Sequence, residues 1–566
     1  MSRRLVFWLL TLAAVVVAVA QAWVLRWTCD DAFISFRYAQ HFAEGHGLVF
    51  NLDPSEAPVE GYTNFTWTVL LALGVMLGNS DRALENWSIL WGIAAHAGTV
   101  LLLAMTAWRA SHGRAALPIA ALGYAVLHHA ASLAPAGLET ALFVLLAAAM
   151  LRLCLAMRCA REAWLLGFLG VFAAMTRPDG AIFAAVAGLF VLHDAFRRGA
   201  PKLLLGYVLP FVMVFVPYLL WRHAYYGHWV PNTFFAKSGT GSYVPQGLRY
   251  VGPFFACYWP LLLGLLPLGW FLAKKPDPLA TISPFVGRRP WVVLAAFVLP
   301  YLGFVIWVGG DFMFARFLLP IVPALLLAAD FACQRWRPIG LQVAWAAVLA
   351  LGFSLRVEPA GLDRYENDVS DNRTISMPLV DVARGMGEYL QWLFAGLDVR
   401  LGIAGAHASL AYRSRAPVAI ECAAGLTDAF IARLPVPPGG KRGHDRPWTL
   451  YPDYLVQRGV QIMFELSYGR DANGQDIPWR WIMFPTPAGL LPAKLVQWDG
   501  ALMDELRRRE PHLQVVDFPS YLDEYIAELP QKTKAQVQAD LAQFETFYFV
   551  RNDDPARRRA FEPFLR

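Results

Sequence analysis

Residues 5–33 read LVFWLLTLAAVVVAVAQAWVLRWTCDDAF. The apolar run over 5–25 is long enough to cross the bilayer, whose ~30 Å hydrocarbon core takes about 20 residues. Asp30 and Asp31 stand directly behind it. Adjacent carboxylates are costly near lipid and mark functional positions more often than structural ones. The pair therefore points to chemistry at a membrane surface.

The rest of the chain fits that setting. It has 566 residues, 57% of them hydrophobic and 16% charged, with mean hydropathy +0.40. Soluble chains carry about 25% charged residues, so this composition reads as an α-helical polytopic membrane protein. The net charge of +6 resides in basic residues clustered between apolar segments. That fits topology rather than nucleic-acid binding. Six cysteines in a chain this long make no disulfide framework. No Walker, Rossmann or metal-type Cys/His spacing is present.

Eleven spans are expected, over 5–25, 87–107, 115–133, 138–157, 163–176, 180–196, 203–221, 251–273, 291–309, 314–331 and 338–356. Arg3 and Arg4 precede the first, and Arg109 and Arg114 follow the second. Arg158 with Arg161, then Arg197, Arg198 and Lys202, then Lys274, Lys275, Arg288 and Arg289, then Arg335 and Arg337 fill every second later connection. The positive-inside rule puts the N-terminus in the cytoplasm and Asp30-Asp31 outside. This parity requires that Phe65 to Leu77, too short for a comfortable span, be re-entrant or interfacial. Ala18-Val19-Ala20 offers an alternative at the N-terminus, a signal-peptidase site, which would leave the remaining topology unchanged.

Residues 1–356 are thus expected to form the transmembrane domain, with a first outer loop over about 26–86. Residues 357–566 are expected to form a mixed α/β extracytoplasmic domain. Short strands are predicted at Leu401 to Ala404, Val418 to Cys422 and Val460 to Phe464, and helices at 379–395, 498–509 and 533–545.

With this topology the unusual polar motifs fall on the outer side: Asp30-Asp31, Glu60-Gly61-Tyr62, Gly137-Leu138-Glu139-Thr140, Arg177-Pro178-Asp179-Gly180, Tyr225 to Ser238, and Gly309-Gly310-Asp311. Their convergence suggests a cavity opening outward. Each has a blander alternative. Thr28-x-x-Asp31 resembles a helix cap, and Glu139 can cap a helix in the same way. Arg177 and Asp179 can pair across a tight turn, and Asp311 can pair with Arg316. The aromatic loop carrying Asn232 and Lys237 suits a sugar and a phosphate, or an interfacial belt with a snorkelling lysine. After Asp31, Phe33, Phe36 and Phe42 with Arg37 on a polar face predict a helix lying on the bilayer. Cys29 and Cys422 are the cysteines placed outside, where a bridge is chemically permitted.

The ordered motifs resemble a known family. Asp-Asp-Ala-Phe-Ile-Ser-Phe-Arg-Tyr (30–38), Gly45-x-Gly47-Leu48-Val49-Phe50-Asn51, Val59-Glu60-Gly61-Tyr62-Thr63, Gly-Leu-Glu-Thr (137–140), Arg-Pro-Asp-Gly (177–180), Tyr-Tyr-Gly with Pro-Asn-Thr (225–233) and Gly-Gly-Asp-Phe-Met (309–313) resemble membrane glycosyltransferases of the GT-C class. They are most similar to the AftB-like terminal arabinofuranosyltransferases, and the similarity extends into Gly425 to Asp428 and Gly443-His444. The resemblance implies a polyprenyl-phosphate sugar donor and inverting transfer without a nucleotide. It implies catalytic acids at Asp30 and Asp31. Arg37, Glu60, Tyr62, Glu139, Arg177, Asp179, Asn232, Lys237, Asp311, Arg316 and His444 are the expected substrate-binding set. No cofactor is demanded, and a divalent metal stays open. The expected acceptor is a glycan, a lipid-linked glycan or a pilin-like protein, met at the outer face of the cytoplasmic membrane. A lipid-sugar transporter or a non-catalytic assembly subunit are the rival classes. A transporter should show inverted repeats and interrupted helices near the midplane, and the sequence offers neither signal.

Overall fold

The computed structural model describes residues 2–113, 115–237, 243–263, 290–336, 339–363, 368–405, 408–437, 443, 445–464, 477–487 and 489–565. The chain divides into two compact units. The first comprises 1–32, 63–229 and 240–377, and the second 33–62, 230–239 and 378–566.

Helix α1 (Arg3–Val24) opens the first unit, and α2 (Ala32–Ala43) runs into the second. The first unit continues with α3 (Phe65–Met76), α4 (Asp81–Ala110), α5 (Ile119–Ala125), α6 (His128–Leu133), α7 (Thr140–Ala156), α8 (Ala160–Thr176) and α9 (Gly180–Arg198). Five helices among the described residues are long and apolar enough to cross a membrane: α1, α4, α9, Pro201–Tyr226 and Pro290–Val308. Shorter apolar helices include α3, α7, Leu319–Gln334 and Gln342–Ser354. At ~1.5 Å per residue α3 is about 18 Å long, well short of the ~30 Å hydrocarbon core.

Several expected spans differ in detail, among them 314–331, where the α-helix runs Val322–Trp336. Residues 115–133 are not one helix, because α5 ends at Ala125 and α6 begins at His128. Leu127 is extended there, with φ −76° and ψ 103°. The break leaves a helix-start amide to satisfy, and His129 N–H donates to the Tyr258 hydroxyl at 3.2 Å. The expected span 251–273 begins earlier, as helix Val244–Cys257, and its second half lies outside the described residues.

Helix α4 shows why these elements pack. Its buried residues Leu84, Ser88, Ile89, Gly92, Ile93 and His96 recur at three- and four-residue spacing, the stripe of a helix with one buried face. Gly92 is required there: a Cβ at this position would stand 1.9 Å from the Ala134 carbonyl oxygen. The 134–139 segment, which carries Glu139, can therefore lie directly against α4.

The second unit is built on a six-stranded mixed sheet ordered β2-β1-β3-β5-β4-β6. The strands are β1 (Arg400–Ile403), β2 (Val418–Glu421), β3 (Ile462–Phe464), β4 (Trp481–Thr486), β5 (Gly489–Leu495) and β6 (Gln514–Val515). The pairs β1/β2 and β1/β3 are parallel, and the remaining pairs are antiparallel. Val418, Ile420, Ile431, Val460 and Met463 form its core. The expected helices appear at Asn372–Phe394, Gly500–Arg509 and Lys534–Phe544. The β4/β5 hairpin and helix Phe518–Ala527 are additions that the sequence reading did not foresee.

Candidate active site

In the first unit the segment around the acid pair is fixed by its backbone. Trp27 Nε1 donates to the Ser132 carbonyl at 2.9 Å, and Cys29 N–H donates to the Ala136 carbonyl at 2.9 Å. Asp30 N–H donates to Ser376 Oγ at 3.1 Å, and Cys29 Sγ to Asn372 Oδ1 at 3.2 Å. The 27–30 strap is therefore held between the 132–136 segment and the start of helix Asn372–Phe394. Asp30 is 4% exposed, whereas Asp31 is half-buried. Burial pushes the Cys29 thiol well above its ordinary range, and the Asp31 carboxylate adds to the shift.

The 137–140 turn brings the next acid. Gly137 has φ +80°, a conformation that glycine adopts at no steric cost, and its carbonyl accepts from Trp67 Nε1 at 3.0 Å. Glu139 Oε1 then accepts from Arg316 Nη2 at 2.9 Å and from Arg177 Nη1 at 3.2 Å. Its other oxygen accepts from Asn64 Nδ2 at 3.0 Å. Arg177 is forked onto Asp179, at 3.0 and 3.1 Å, and Tyr301 donates its hydroxyl to Asp179 at 2.6 Å. The Arg177 guanidinium also lies over the Phe317 ring, 4.6 Å from its centroid.

Arg316 is held less tightly. Its remaining contacts include Asp311 at 3.4 Å and Thr140 Oγ1 at 3.3 Å, at the long edge of hydrogen bonding, and the Met313 thioether sulfur at 3.8 Å. Asp31 is among the charges acting on it. The loop carrying it is shaped by Gly310, at φ +77°, where a Cβ would stand 2.3 Å from the Tyr250 ring. The Tyr250 hydroxyl in turn donates to the Met313 carbonyl and accepts from Phe317 N–H, each at 3.0 Å.

The first unit thus assembles Glu139, Arg177, Asp179, Asp311 and Arg316, with Asp31 electrostatically coupled to Arg316. Both ion pairs offered as structural alternatives are present, and both extend into this larger network. Asn64 and Tyr301 belong to it, Ser376 holds the Asp30 backbone, and none of the three was foreseen. Asn64 follows the Glu60-Gly61-Tyr62 motif directly, and Tyr301 is a polar ring inside an apolar helix, so each had a signal. Ser376 had none.

Arg37, Glu60, Tyr62, Asn232 and Lys237 fall in the second unit, and His444 lies outside the described residues. Two of these have other work. Arg37 is buried and donates to the carbonyls of Phe50, Ala416 and Pro417 at 2.6, 2.6 and 3.2 Å, and to that of Ala411. It is a pin joining α2 to the 411–417 segment, not a group on an exposed polar face. The bilayer-lying reading of α2 is corrected with it: Phe33 and Phe36 are fully buried and pack against Tyr412 in the second unit. Asn232 likewise donates to the carbonyls of Gly425, Leu426 and Asp428 at 2.9–3.2 Å and accepts from Arg433. Tyr62 is buried with its ring 4.7 Å from that of Tyr38, Glu60 is buried, and Lys237 is exposed. Cys29 and Cys422 are both thiols, not a bridge.

The fold is of the GT-C type. The structure of ArnT from Cupriavidus metallidurans bound to undecaprenyl phosphate superposes with a TM-score of 0.57 at 14% identity, over 86% of this chain and 97% of that one. Its apo state gives 0.50 at 16% identity, over 80% and 92%. In sequence, the chain is similar to terminal β-(1→2)-arabinofuranosyltransferases. The one from Mycobacterium tuberculosis H37Rv is 30% identical over 396 residues, 62% of this chain and 61% of the relative. The one from Corynebacterium glutamicum is 27% identical over 349 residues, 56% and 50%. The matched regions span less than two thirds of these relatives' length. No protein-family model matches the chain.

Proposed function

We propose that this protein is an inverting glycosyltransferase that moves a sugar, arabinofuranose by its relatives, from a polyprenyl-phosphate donor to a glycan hydroxyl at the outer face of the cytoplasmic membrane. The observation that carries this reading is the half-buried carboxylate of Asp31, beside buried Asp30 and coupled to a loosely held arginine, in a chain similar to arabinofuranosyltransferases. Asp30 or Asp31 removes the acceptor proton as the oxygen attacks the anomeric carbon. General-base assistance of this kind contributes roughly 10²–10⁴-fold.

The lipid phosphate departs with the donor's bonding electrons. Arg316 exchanges its long contacts to Asp311 and Thr140 for phosphate oxygens, which a guanidinium can grip two at a time. Preorganised charge aimed at the leaving group is often the largest catalytic contribution. Glu139 and Asp179 position the two arginines rather than touching substrate. Eleven spans, an N-terminus in the cytoplasm, and a first outer loop and C-terminal domain on the outer face complete the proposal.

The test uses purified protein in detergent and radiolabelled polyprenyl-phosphate arabinose, with a panel of glycan, lipid-linked glycan and pilin-like acceptors. Asp30→Asn and Asp31→Asn are compared with the unaltered chain at matched protein level. At least one should lose 100-fold or more in transfer. Near-normal transfer by both would overturn the base assignment, and no transfer from any lipid-phosphate sugar would overturn the reaction class.

A further inference from the structure

Helices α4 and α7 lie side by side in the first unit and run the same way. Ala95 of α4 clusters with Ala141 of α7, and a Cβ on Gly98 would stand 3.4 Å from Leu145. The two helices therefore finish at the same membrane edge, α4 at Ala110 and α7 at Ala156. Arg109 stands in the last turn of α4, and Arg152 stands one turn before the end of α7. Arg109 is a charge that acts on Arg152.

Neither guanidinium is matched by the protein. Arg152 Nη1 is buried and has no hydrogen-bond partner. Arg109 is exposed, and no carboxylate pairs with either arginine among the described residues. Buried charges are normally paired, and here the nearest charge has the same sign. A lone arginine at this depth would snorkel to the interface. That accounts for Arg109, but not for a buried Nη1 beside a second guanidinium. An anion shared by the two side chains accounts for both.

The surroundings say what the anion carries. Leu142, Leu145 and Ala149 of α7 are half-buried at the three- and four-residue spacing that leads to Arg152. On α4, exposed Leu101 and half-buried Met105 lead to Arg109 in the same way. Together they make an apolar seam ending at two positive charges. At that edge Trp108 packs against Phe7 and Trp8 of α1, with ring centroids 4.8 and 6.0 Å apart, and indoles favour the headgroup level. A free phosphate would use only the arginines. A phosphodiester with an acyl chain attached uses the seam as well.

We propose that this edge of α4 and α7 is a binding site for one anionic glycerophospholipid, its phosphodiester held by Arg109 and Arg152 and an acyl chain in the seam. Guanidinium groups grip phosphate oxygens two at a time, and basic pockets between transmembrane helices hold such headgroups. Glu139 and its network sit at the opposite end of α7, so the site is separate from them and does not depend on sugar transfer.

Native mass spectrometry of the full-length protein in detergent, titrated with phosphatidylglycerol or phosphatidylcholine, tests this. The variants are Arg152→Gln and Arg109→Gln. Arg161→Gln, at an exposed position in the first turn of α8, controls for the general positive field of this edge. Elution profiles check folding, and exposed Arg109 carries the test should Arg152→Gln fail to fold.

The expected result is one phosphatidylglycerol bound at least tenfold more tightly than phosphatidylcholine. Its affinity should fall tenfold or more in Arg152→Gln and Arg109→Gln and stay within twofold in Arg161→Gln. Excess inorganic phosphate should leave the lipid in place. Unchanged affinity in both Arg152→Gln and Arg109→Gln, an equal loss in all three variants, or no preference over phosphatidylcholine overturns the site. Displacement by inorganic phosphate would give the arginines to a free anion and overturn the lipid.

Discussion

Glu139 connects residues that the chain keeps far apart. Its carboxylate meets Arg177 and Arg316 on one oxygen and Asn64 on the other, and its side chain is only 4% exposed. Removing one partner of a buried charge group leaves the others uncompensated, at a cost of about 3–5 kcal/mol. Glu139→Gln should therefore sharply shorten the half-life of the detergent-solubilised protein on heating, and should also lower transfer. Arg316→Lys should separate the two effects. A lysine lacks the planar fork that spans Glu139, Asp311 and Thr140, yet its charge still faces Glu139. Transfer should fall tenfold or more, with a smaller loss of heat resistance than in Glu139→Gln. Equal heat resistance of Glu139→Gln and the unaltered chain would show that the network is not structural. The members of this network were legible as polar residues in apolar territory. The bond from Glu139 to Arg316 was not, because it closes 177 residues of sequence. Arg37 and Asn232 misled for a related reason: a buried polar side chain satisfied by distant carbonyls looks, in sequence, like one awaiting a ligand.

At the level of elements, α2 was read correctly as a helix and wrongly as a membrane-surface one. Its phenylalanine spacing was real, but Phe33 and Phe36 pack against Tyr412 in the second unit, while Phe42 stays exposed. An apolar stripe reports burial without naming what buries it. The strands near 401, 418 and 462 were legible from their β-branched and aliphatic runs. The β4/β5 hairpin was obscured by Pro485 and Pro492, which face positions in its strands and which normally argue against a strand. The packing of α2 has a pH consequence. His41 Nδ1 lies 2.9 Å from the Val49 carbonyl, and its folded pKa is about 3, against ~6.5 in an unfolded chain. Between those values the unfolded state binds more protons, so stability rises with pH. Acidification from pH 7 towards 4 should progressively destabilise the protein, and His41→Gln should flatten that part of the profile. Thermal unfolding of both forms at pH 4 to 7 measures it, and parallel profiles would remove His41 from the account.

For the whole molecule, orientation depends on one short element. Helix α3 has 12 residues, and if it does not cross, α4 returns the chain to the cytoplasm, the α5–α6 pair leads out and α7 leads back. The α7–α8 connection, with Arg158, Cys159 and Arg161, is then cytoplasmic, in line with its positive charge. Were α3 to cross, the same connection would face outward. The chain carries its own reporter of this choice. Cys159 is exposed, whereas Cys29, Cys154, Cys257, Cys333 and Cys422 are buried. A membrane-impermeant maleimide should therefore label the native protein in inside-out vesicles and leave it unlabelled in right-side-out ones. Cys159→Ser should abolish the signal, and Ser520→Cys in that background, placed in the second unit, should restore it from the opposite side. Labelling of Cys159 from outside would put the α7–α8 connection on the outer face and overturn the proposed topology after α3.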